Sequence, residues 1–419
     1  MYNQWTLEGG WTLPIDILLP PIKTEARIKG AFLDQSGIIH VAFFAGDEDE
    51  ANIYYSRAPA VDAARAPAWS KPALVGEAAA TPDVAALAGD DKGNLVILYG
   101  GEQQGWGLYA AYSADGGDTW TDPVPTFLTY EELFPFALIM SPGQSGSIHV
   151  VWDVRDLGGN GRQINYAGLN LDDRQWSEPI TLAKAETGYG VLFPTVVEYG
   201  DEVVVAYSGV TIQRSRDGGR TWTEPVKPFR HVGVNGIMSF VVDSKDDLHL
   251  LWAQRITGSP DIHGTWDSIW QDGRWSEPEA IVSGPQVPDQ LGDKAFDPFD
   301  VRAIVSQGNV LLATWRSDPG LKGNGVWYSY KRLDAPEMAV VPLPTVAPTP
   351  TPHPDPTATP SSPTPTPKPR PIFMQPTSVD AAGSFLNNNP ANSLVVGLVP
   401  VVLLMAVVFM RALIRQSRS

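Results

Sequence analysis

A Trp-[Ser/Thr]-x-Pro tetrad recurs six times along the chain. It stands at Trp11-Thr12-Leu13-Pro14, Trp69-Ser70-Lys71-Pro72, Trp120-Thr121-Asp122-Pro123, Trp176-Ser177-Glu178-Pro179, Trp222-Thr223-Glu224-Pro225 and Trp275-Ser276-Glu277-Pro278, with steps of 58, 51, 56, 46 and 53 residues. A unit of that length is one small sheet, which cannot bury both faces until copies stack against it. Between tetrads lies a second repeat, an apolar strand after a turn: residues 38–43, 95–99, 148–152, 203–207, 248–252 and 310–315. A third follows it, as in Ile53-Tyr54-Tyr55-Ser56 and residues 108–113 and 326–329, so each period holds about four short strands. β-branched content, alternation and turns such as Asp91-Lys92-Gly93-Asn94 exclude a helical reading.

The order of elements predicts how the array closes. The tetrad at Trp11 precedes any inner strand, while the last inner strands, residues 310–330, have no tetrad after them. The chain therefore reads as all-β, a six-bladed β-propeller over residues 1–341, closed by an N-terminal strand in which residues 11–17 pair with residues 326–330.

The rest of the chain differs in composition. Residues 342–393 form a Pro/Thr-rich stalk, disordered because proline fixes φ and removes backbone donors. In polyproline II geometry, at about 3.1 Å per residue, its proline-dense part reaches up to about 90 Å. Residues 394–410 carry no charge, and if Arg411 snorkels, a transmembrane helix extends over 394–414. Arg415 and Arg418 lie in the basic tail 415–419, which the positive-inside rule keeps in the cytoplasm, with the large domain outside the cell membrane. No secretory signal is visible near Met1. The expectation is a start upstream of this methionine, with a tail-anchored cytosolic domain as the alternative.

Charge and cysteine content remove other classes. The net charge is −17, and the tail from Pro342 carries +3, which leaves −20 on residues 1–341, a surface that repels nucleic acid. With no cysteine there is no disulfide, thiolate zinc site or cysteine nucleophile.

Two turns, Ser113-Ala114-Asp115-Gly116-Gly117-Asp118-Thr119-Trp120 and Ser215-Arg216-Asp217-Gly218-Gly219-Arg220-Thr221-Trp222, share the pattern Ser-x-Asp-x-Gly-x-Thr-Trp. This resembles the Asp-box (BNR repeat) of the sialidase, or neuraminidase, superfamily over about residues 10–332. The resemblance implies six blades, and a structural role on the rim for Ser113, Asp115, Gly117, Thr119, Trp120, Ser215, Asp217, Gly219, Thr221 and Trp222. Local chemistry agrees: the aspartate accepts backbone N–H groups, glycine takes the positive-φ position and the indole packs between strands.

The family's catalytic positions carry over only in part. Its first arginine, one of three that bind the substrate carboxylate, matches Arg27 in Ala26-Arg27-Ile28-Lys29, without the flanking aromatic and proline. The acid/base aspartate falls in Asp47-Glu48-Asp49-Glu50, with Asp49 the candidate and Asp47 beside it. A solvated acidic loop or a weak Ca²⁺ site is the plainer reading, and no cofactor is otherwise implied. The nucleophilic tyrosine maps to Phe299 or Asp300, its activating glutamate to Leu192 or Phe193, and the second arginine to Ser208. The third arginine has no match, Arg255 being the nearest basic residue.

His40, His149 and His249 each sit three residues before a strand-ending aromatic, a spacing that repeat architecture explains as packing. Arg302 stands at the mouth of an inner strand, where it reaches the channel or pairs with Asp297 or Asp300. Phe134-Pro135, Phe193-Pro194 and Pro298-Phe299 open inner strands and offer a stacking floor. Three readings follow. The first is a surface-displayed module that binds a glycan or cell-surface protein through Arg27, Arg302 and Phe299 without sialidase activity. The second is a glycosidase of altered mechanism, with Arg27 as clamp and a carboxylate pair from Asp47, Asp49, Glu132 and Asp300. The third is a structural envelope component.

Overall fold

Runs such as Val203-Val204-Val205-Ala206-Tyr207 are buried at every position, so both faces of these strands meet other protein rather than water. The computed structural model describes residues 1–22, 26–47, 50–79, 84–129, 132–143, 146–230, 232, 234–255, 264–283, 298–317 and 326–339. Among them there is no α-helix, and six antiparallel sheets of three or more strands follow one another along the chain.

The first sheet is Ala26–Leu33, Ile38–Gly46, Ala51–Pro59 and Ala73–Glu77; the second is Ala85–Gly89, Leu95–Gly101, Gly107–Ser113 and Val124–Leu128. The third joins Leu133–Pro142, Ser147–Asp156 and Gly161–Asn170, with Gln175–Trp176 and Ile180–Lys184 both paired to its third strand. The fourth holds Thr195–Tyr199, Glu202–Tyr207 and Thr211–Ser215, and a single bridge from Ile212 to Val226 stands in for an outer strand. In the fifth, Val234–Asn235 and Ser239–Val242 flank Leu248–Arg255, followed by Gly264–Gln271, Arg274–Trp275 and Glu279–Ser283. The sixth is Pro298–Ser306, Val310–Ser317 and Val326–Arg332.

Alternation along each strand divides the core into layers between consecutive sheets. Leu95, Ile97 and Tyr99 face the first sheet's Ala42, Phe44, Ile53 and Tyr55. Val96 and Leu98, on the opposite face, meet Val150 and Trp152 of the third sheet. Further layers join the third sheet to the fourth, the fourth to the fifth and the fifth to the sixth. The first strands of successive sheets also lie side by side. Tight turns are set by aspartates: Asp90 Oδ1 accepts the N–H groups of Lys92 and Asn94 at 2.9 Å each, and Asp243 holds Lys245 and Asp247 at 2.8 and 3.0 Å.

The N-terminus corrects the expected closure. Instead of laddering onto residues 326–330, Trp11 pairs with Trp5 and Ile15 with Tyr2. The cause is local, since Thr6 and Gly10 form a turn in which Thr6 Oγ1 accepts Gly9 N–H at 3.0 Å and Gly10 has φ 64°. The segment thereby spends its backbone groups on itself, just as Trp270 pairs with Trp275 in the fifth sheet. Contact with the sixth sheet is made by rings instead, Trp5 to Tyr330 at 5.2 Å and Trp11 to Tyr328 at 5.7 Å. Ile17 is buried with Val41, Phe43, Tyr54 and Trp69 of the first sheet, so residues 1–17 link the two sheets through side chains.

The chain divides into two units, Met1–Pro348 and Thr349–Ser419. The stalk, the span 394–414 and the tail all lie outside the described residues, as do Glu48, Asp49 and Asp297. Among the described residues no helix is long and apolar enough to cross a membrane.

Candidate functional site

The first strands carry irregularities at one end: register shifts fall between Ile28 and Gly30, Pro135 and Leu138, and Phe299 and Arg302. A shift of this kind re-aims the side chains beside it. Phe193 and Asp300, at φ 56° and 51°, hold the left-handed backbone that non-glycine residues avoid. Side chains from the third to sixth sheets converge there, with Ala137, Leu192, Phe193, Ile237 and Phe299 in one cluster.

Two carboxylates organise this cluster in the same way. Asp153 is fully buried. Its Oδ1 accepts Ala137 N–H at 3.0 Å and Arg155 Nε–H at 3.2 Å, and its Oδ2 accepts Phe193 N–H and an Arg155 Nη2 hydrogen, both at 2.9 Å. Burial pushes the Asp153 carboxyl up from its ordinary value, opposed by Arg155. Asp300 Oδ1 accepts Ile237 N–H at 3.0 Å, and its Oδ2 accepts Arg316 Nε–H at 2.7 Å. Each carboxylate thus ties a neighbouring sheet's lead-in to an arginine.

The arginines stack on phenyl rings. The Arg155 guanidinium lies 3.7 Å from the Phe136 centroid and 4.8 Å from that of Phe193; Arg316 lies 4.9 Å from Phe299. Phe193 and Phe299 meet edge to face at 5.7 Å. The result is a continuous row of rings capped by cations: Phe136, Arg155, Phe193, Phe299 and Arg316. The Arg316 side chain is 42% exposed and Phe136 is 37% exposed.

Arg302 extends this group. Solvent reaches its side chain, yet desolvation draws its guanidinium below the ordinary arginine value, with Asp300 partly offsetting the shift. Neighbouring protein therefore crowds the guanidinium while still leaving it open to solvent. Among the described residues the Arg302 guanidinium has no hydrogen-bond or ion-pair partner. The expected pairing with Asp300 is corrected, because Arg316 takes that carboxylate.

The other sequence candidates are placed as follows. Arg27 lies exposed on the first strand of the first sheet, opposite Phe44 in register. Asp47 directly follows the second strand, where its Oδ1 accepts Glu50 N–H at 3.1 Å and holds the turn. Glu132 is exposed with φ 67°. Among the described residues no three His, Asp or Glu side chains gather as metal ligands.

The two Ser-x-Asp-x-Gly-x-Thr-Trp turns use their groups internally. Asp115 Oδ1 accepts the Ser113 hydroxyl at 2.7 Å and Thr119 N–H at 2.9 Å, while Oδ2 accepts the Thr119 hydroxyl at 2.6 Å. Asp217 repeats this with Ser215 and Thr221, and these bonds hold both carboxyls well below the usual range. Trp120 packs against Tyr55 of the preceding sheet and Trp222 against Tyr166.

The histidines are built into the same inter-sheet contacts and are not brought together. His40 Nδ1 bonds the Tyr55 hydroxyl at 2.6 Å, and that hydroxyl donates to Gly116 O at 3.1 Å. His149 bonds Tyr166 and Glu198, each at 2.8 Å, with Tyr166 reaching Gly218 O at 3.3 Å. A cleft of about 710 Å³ lined by His149, Glu198, Glu202 and Arg220 surrounds that second turn rather than the Asp153 and Asp300 cluster. His249 lies against Asp267; burial alone would lower it, but Asp267 and Asp243 together raise it.

Sequence reasoning named Phe299, Asp300 and Arg302 but missed Asp153, Arg155 and Arg316. A signal was present in Trp152-Asp153-Val154-Arg155, where two charges end an otherwise apolar strand.

No protein-family model matches the chain, and no characterised protein matches it in sequence. Solved structures do align with it. An intramolecular trans-sialidase from Ruminococcus gnavus is 11% identical over 78% of this chain and 98% of its own, with a TM-score of 0.46. A Hadza microbial sialidase is 14% identical over 74% and 66%, TM-score 0.45. An ulvan lyase bound to its saccharide is 13% identical over 67% and 77%, TM-score 0.45. Likeness at this level carries no activity over to this chain.

Proposed function

We propose that the six sheets are the blades of a sialidase-like propeller whose channel mouth binds an acidic glycan without hydrolysing it. The observation that carries this reading is the floor of rings and guanidinium groups ending in Arg316 and in Arg302, whose guanidinium has no partner among the described residues. Stacked rings accept sugar faces, and fixed guanidinium forks accept a carboxylate or sulfate. Arg302 and Arg316 make a local cationic spot in a domain whose net charge is −20, so an acidic ligand is selected at the mouth alone. Hydrolysis finds little support. A retaining mechanism needs a nucleophile and an acid, whereas Asp153 and Asp300 are engaged with backbone N–H groups and arginines. The mapped tyrosine position is Phe299 or Asp300 and the mapped glutamate position Leu192 or Phe193, none of them a phenol and the one carboxylate already held by Ile237 N–H and Arg316.

The test is binding of the full chain to polymer-displayed sialyllactose and to polygalacturonate, together with turnover of a fluorogenic sialoside. Binding without turnover is expected, reduced at least tenfold by Arg302→Ala and weakened by salt. Turnover would restore the glycosidase reading through Arg27 and Asp49. An unaffected Arg302→Ala variant, or binding that does not weaken with salt, would remove the mouth as the site.

Display outside the cell by residues 394–414 belongs to the same proposal and rests on Arg411, Arg415 and Arg418 following an uncharged stretch. Protease added to intact cells is expected to release a soluble fragment by cutting within residues 342–393. Protection of the whole chain until lysis would place the domain in the cytosol.

A further inference from the structure

A second site stands between the second and third sheets, away from the mouth. There a cleft of about 610 Å³ is lined by Phe127, Trp152, Trp176, Gln163, Asn165 and Glu178 among others. Phe127 stacks on Trp152 at 4.7 Å and meets Trp176 edge to face at 5.1 Å. Packing of the repeat explains these rings by themselves. It does not explain the polar groups beneath them.

Trp152 and Asn165 are cross-strand partners, 3% and 7% exposed, and both line the cleft. The Asn165 carbonyl accepts the Thr181 hydroxyl at 2.9 Å, which directs its NH₂ group away from that bond. Among the described residues neither this NH₂ nor the Trp152 indole N–H has a partner, yet neither is sealed from solvent, unlike the indole nitrogen of Trp120. A buried donor left open is costly unless water or a ligand completes it. The fifth sheet supplies the comparison. Phe229 and Trp252 stack there in the same way at 4.9 Å, but Trp252 donates to Gln254 Oε1 and Trp266 takes the register position of Asn165. The stacked frame therefore does not require the two open donors.

We infer that this cleft is a subsite for a neutral glycan, a pyranose ring lying on Trp176 and Phe127 while its oxygens accept from Trp152 and Asn165. Sugar hydroxyls both donate and accept, so the same ring serves the exposed Glu178 carboxylate at the lip, which has no partner among the described residues. No cationic side chain lines the cleft, and Glu178 repels an anion. A polyproline peptide would offer acceptors and rings but no donors for Glu178. The third sheet's pair thus favours a hydroxylated, uncharged ligand, distinct from the acidic one at the mouth.

The full chain would be titrated with cellohexaose, mannohexaose and xylohexaose, followed by tryptophan fluorescence and calorimetry. At least one is expected to bind. Asn165→Leu should weaken it about tenfold or more and Glu178→Ala about threefold or more, while acidic-glycan binding at the mouth is unchanged in both. Glu178 is exposed, so its variant reports on binding even if Asn165→Leu is found to lower the melting temperature. The proposal is overturned if none of the three binds, if Glu178→Ala binds as the wild type does, or if a (Pro-Thr)₆ peptide displaces the bound hexasaccharide.

Discussion

Asp153→Ala is expected to lower stability by about 3–5 kcal/mol, because it leaves a buried guanidinium without its counter-charge. The Arg155 side chain is only 9% exposed and, among the described residues, donates both of its hydrogen bonds to this one carboxylate. The same substitution orphans the N–H groups of Ala137 and Phe193, each a loss of about 1–3 kcal/mol when buried and unpaired. These losses share one centre and will not add in full. Denaturant midpoints for three chains separate them: wild type, Asp153→Ala and Asp153→Ala/Arg155→Met. Replacing both members of a buried ion pair by apolar groups is often near neutral. Recovery in the double variant assigns the cost to the stranded charge, and no recovery assigns it to the backbone donors. A single variant within about 1 kcal/mol of wild type would show that Asp153 is not what ties the third sheet to Phe193.

That hub also shows what the sequence makes legible and what it hides. Strand positions were readable because they repeat: residues 95–99, 148–152 and 203–207 fall within Leu95–Gly101, Ser147–Asp156 and Glu202–Tyr207. Alternation within each strand then fixes which neighbours share a core layer. The candidate site depends on contacts that no period encodes. Phe193 N–H reaches Asp153 across 40 residues, and Ile237 N–H reaches Asp300 across 63. Whether Asp300 holds Arg302 or Arg316 is decided at the register shift between Phe299 and Arg302, where Phe299 lies opposite Arg316 and it is Arg316 that takes the carboxylate. The N-terminus was misread for the opposite reason. The order of tetrads called for a long-range ladder, but a short turn at Thr6 and Gly10 satisfied the backbone locally first.

Gly219→Ala is expected to be the most damaging single-methyl change among the two Ser-x-Asp-x-Gly-x-Thr-Trp turns, together with its equivalent at Gly117. Gly219 has φ 90°, and a Cβ there would overlap the Tyr166 ring and hydroxyl; at Gly117, with φ 92°, it would overlap Tyr55. Left-handed backbone at alanine costs about 1–3 kcal/mol, and forcing a packed ring aside costs about as much again. The two terms together predict roughly 2–6 kcal/mol. Tyr166 is 1% exposed and links His149 to Gly218 O, so its displacement also separates the third sheet from the turn of the fourth. Gly218 is the internal control. Its φ is 69° and a Cβ there meets nothing within 4 Å, so Gly218→Ala carries the backbone term alone. Thermal or denaturant unfolding of the two variants measures the difference directly. Gly219→Ala combined with Tyr166→Leu should recover part of the loss, since the smaller side chain vacates the space the methyl needs. If Gly219→Ala and Gly218→Ala prove equally stable, the ring does not press on this turn, and the inter-sheet link through Tyr166 is weaker than its burial implies.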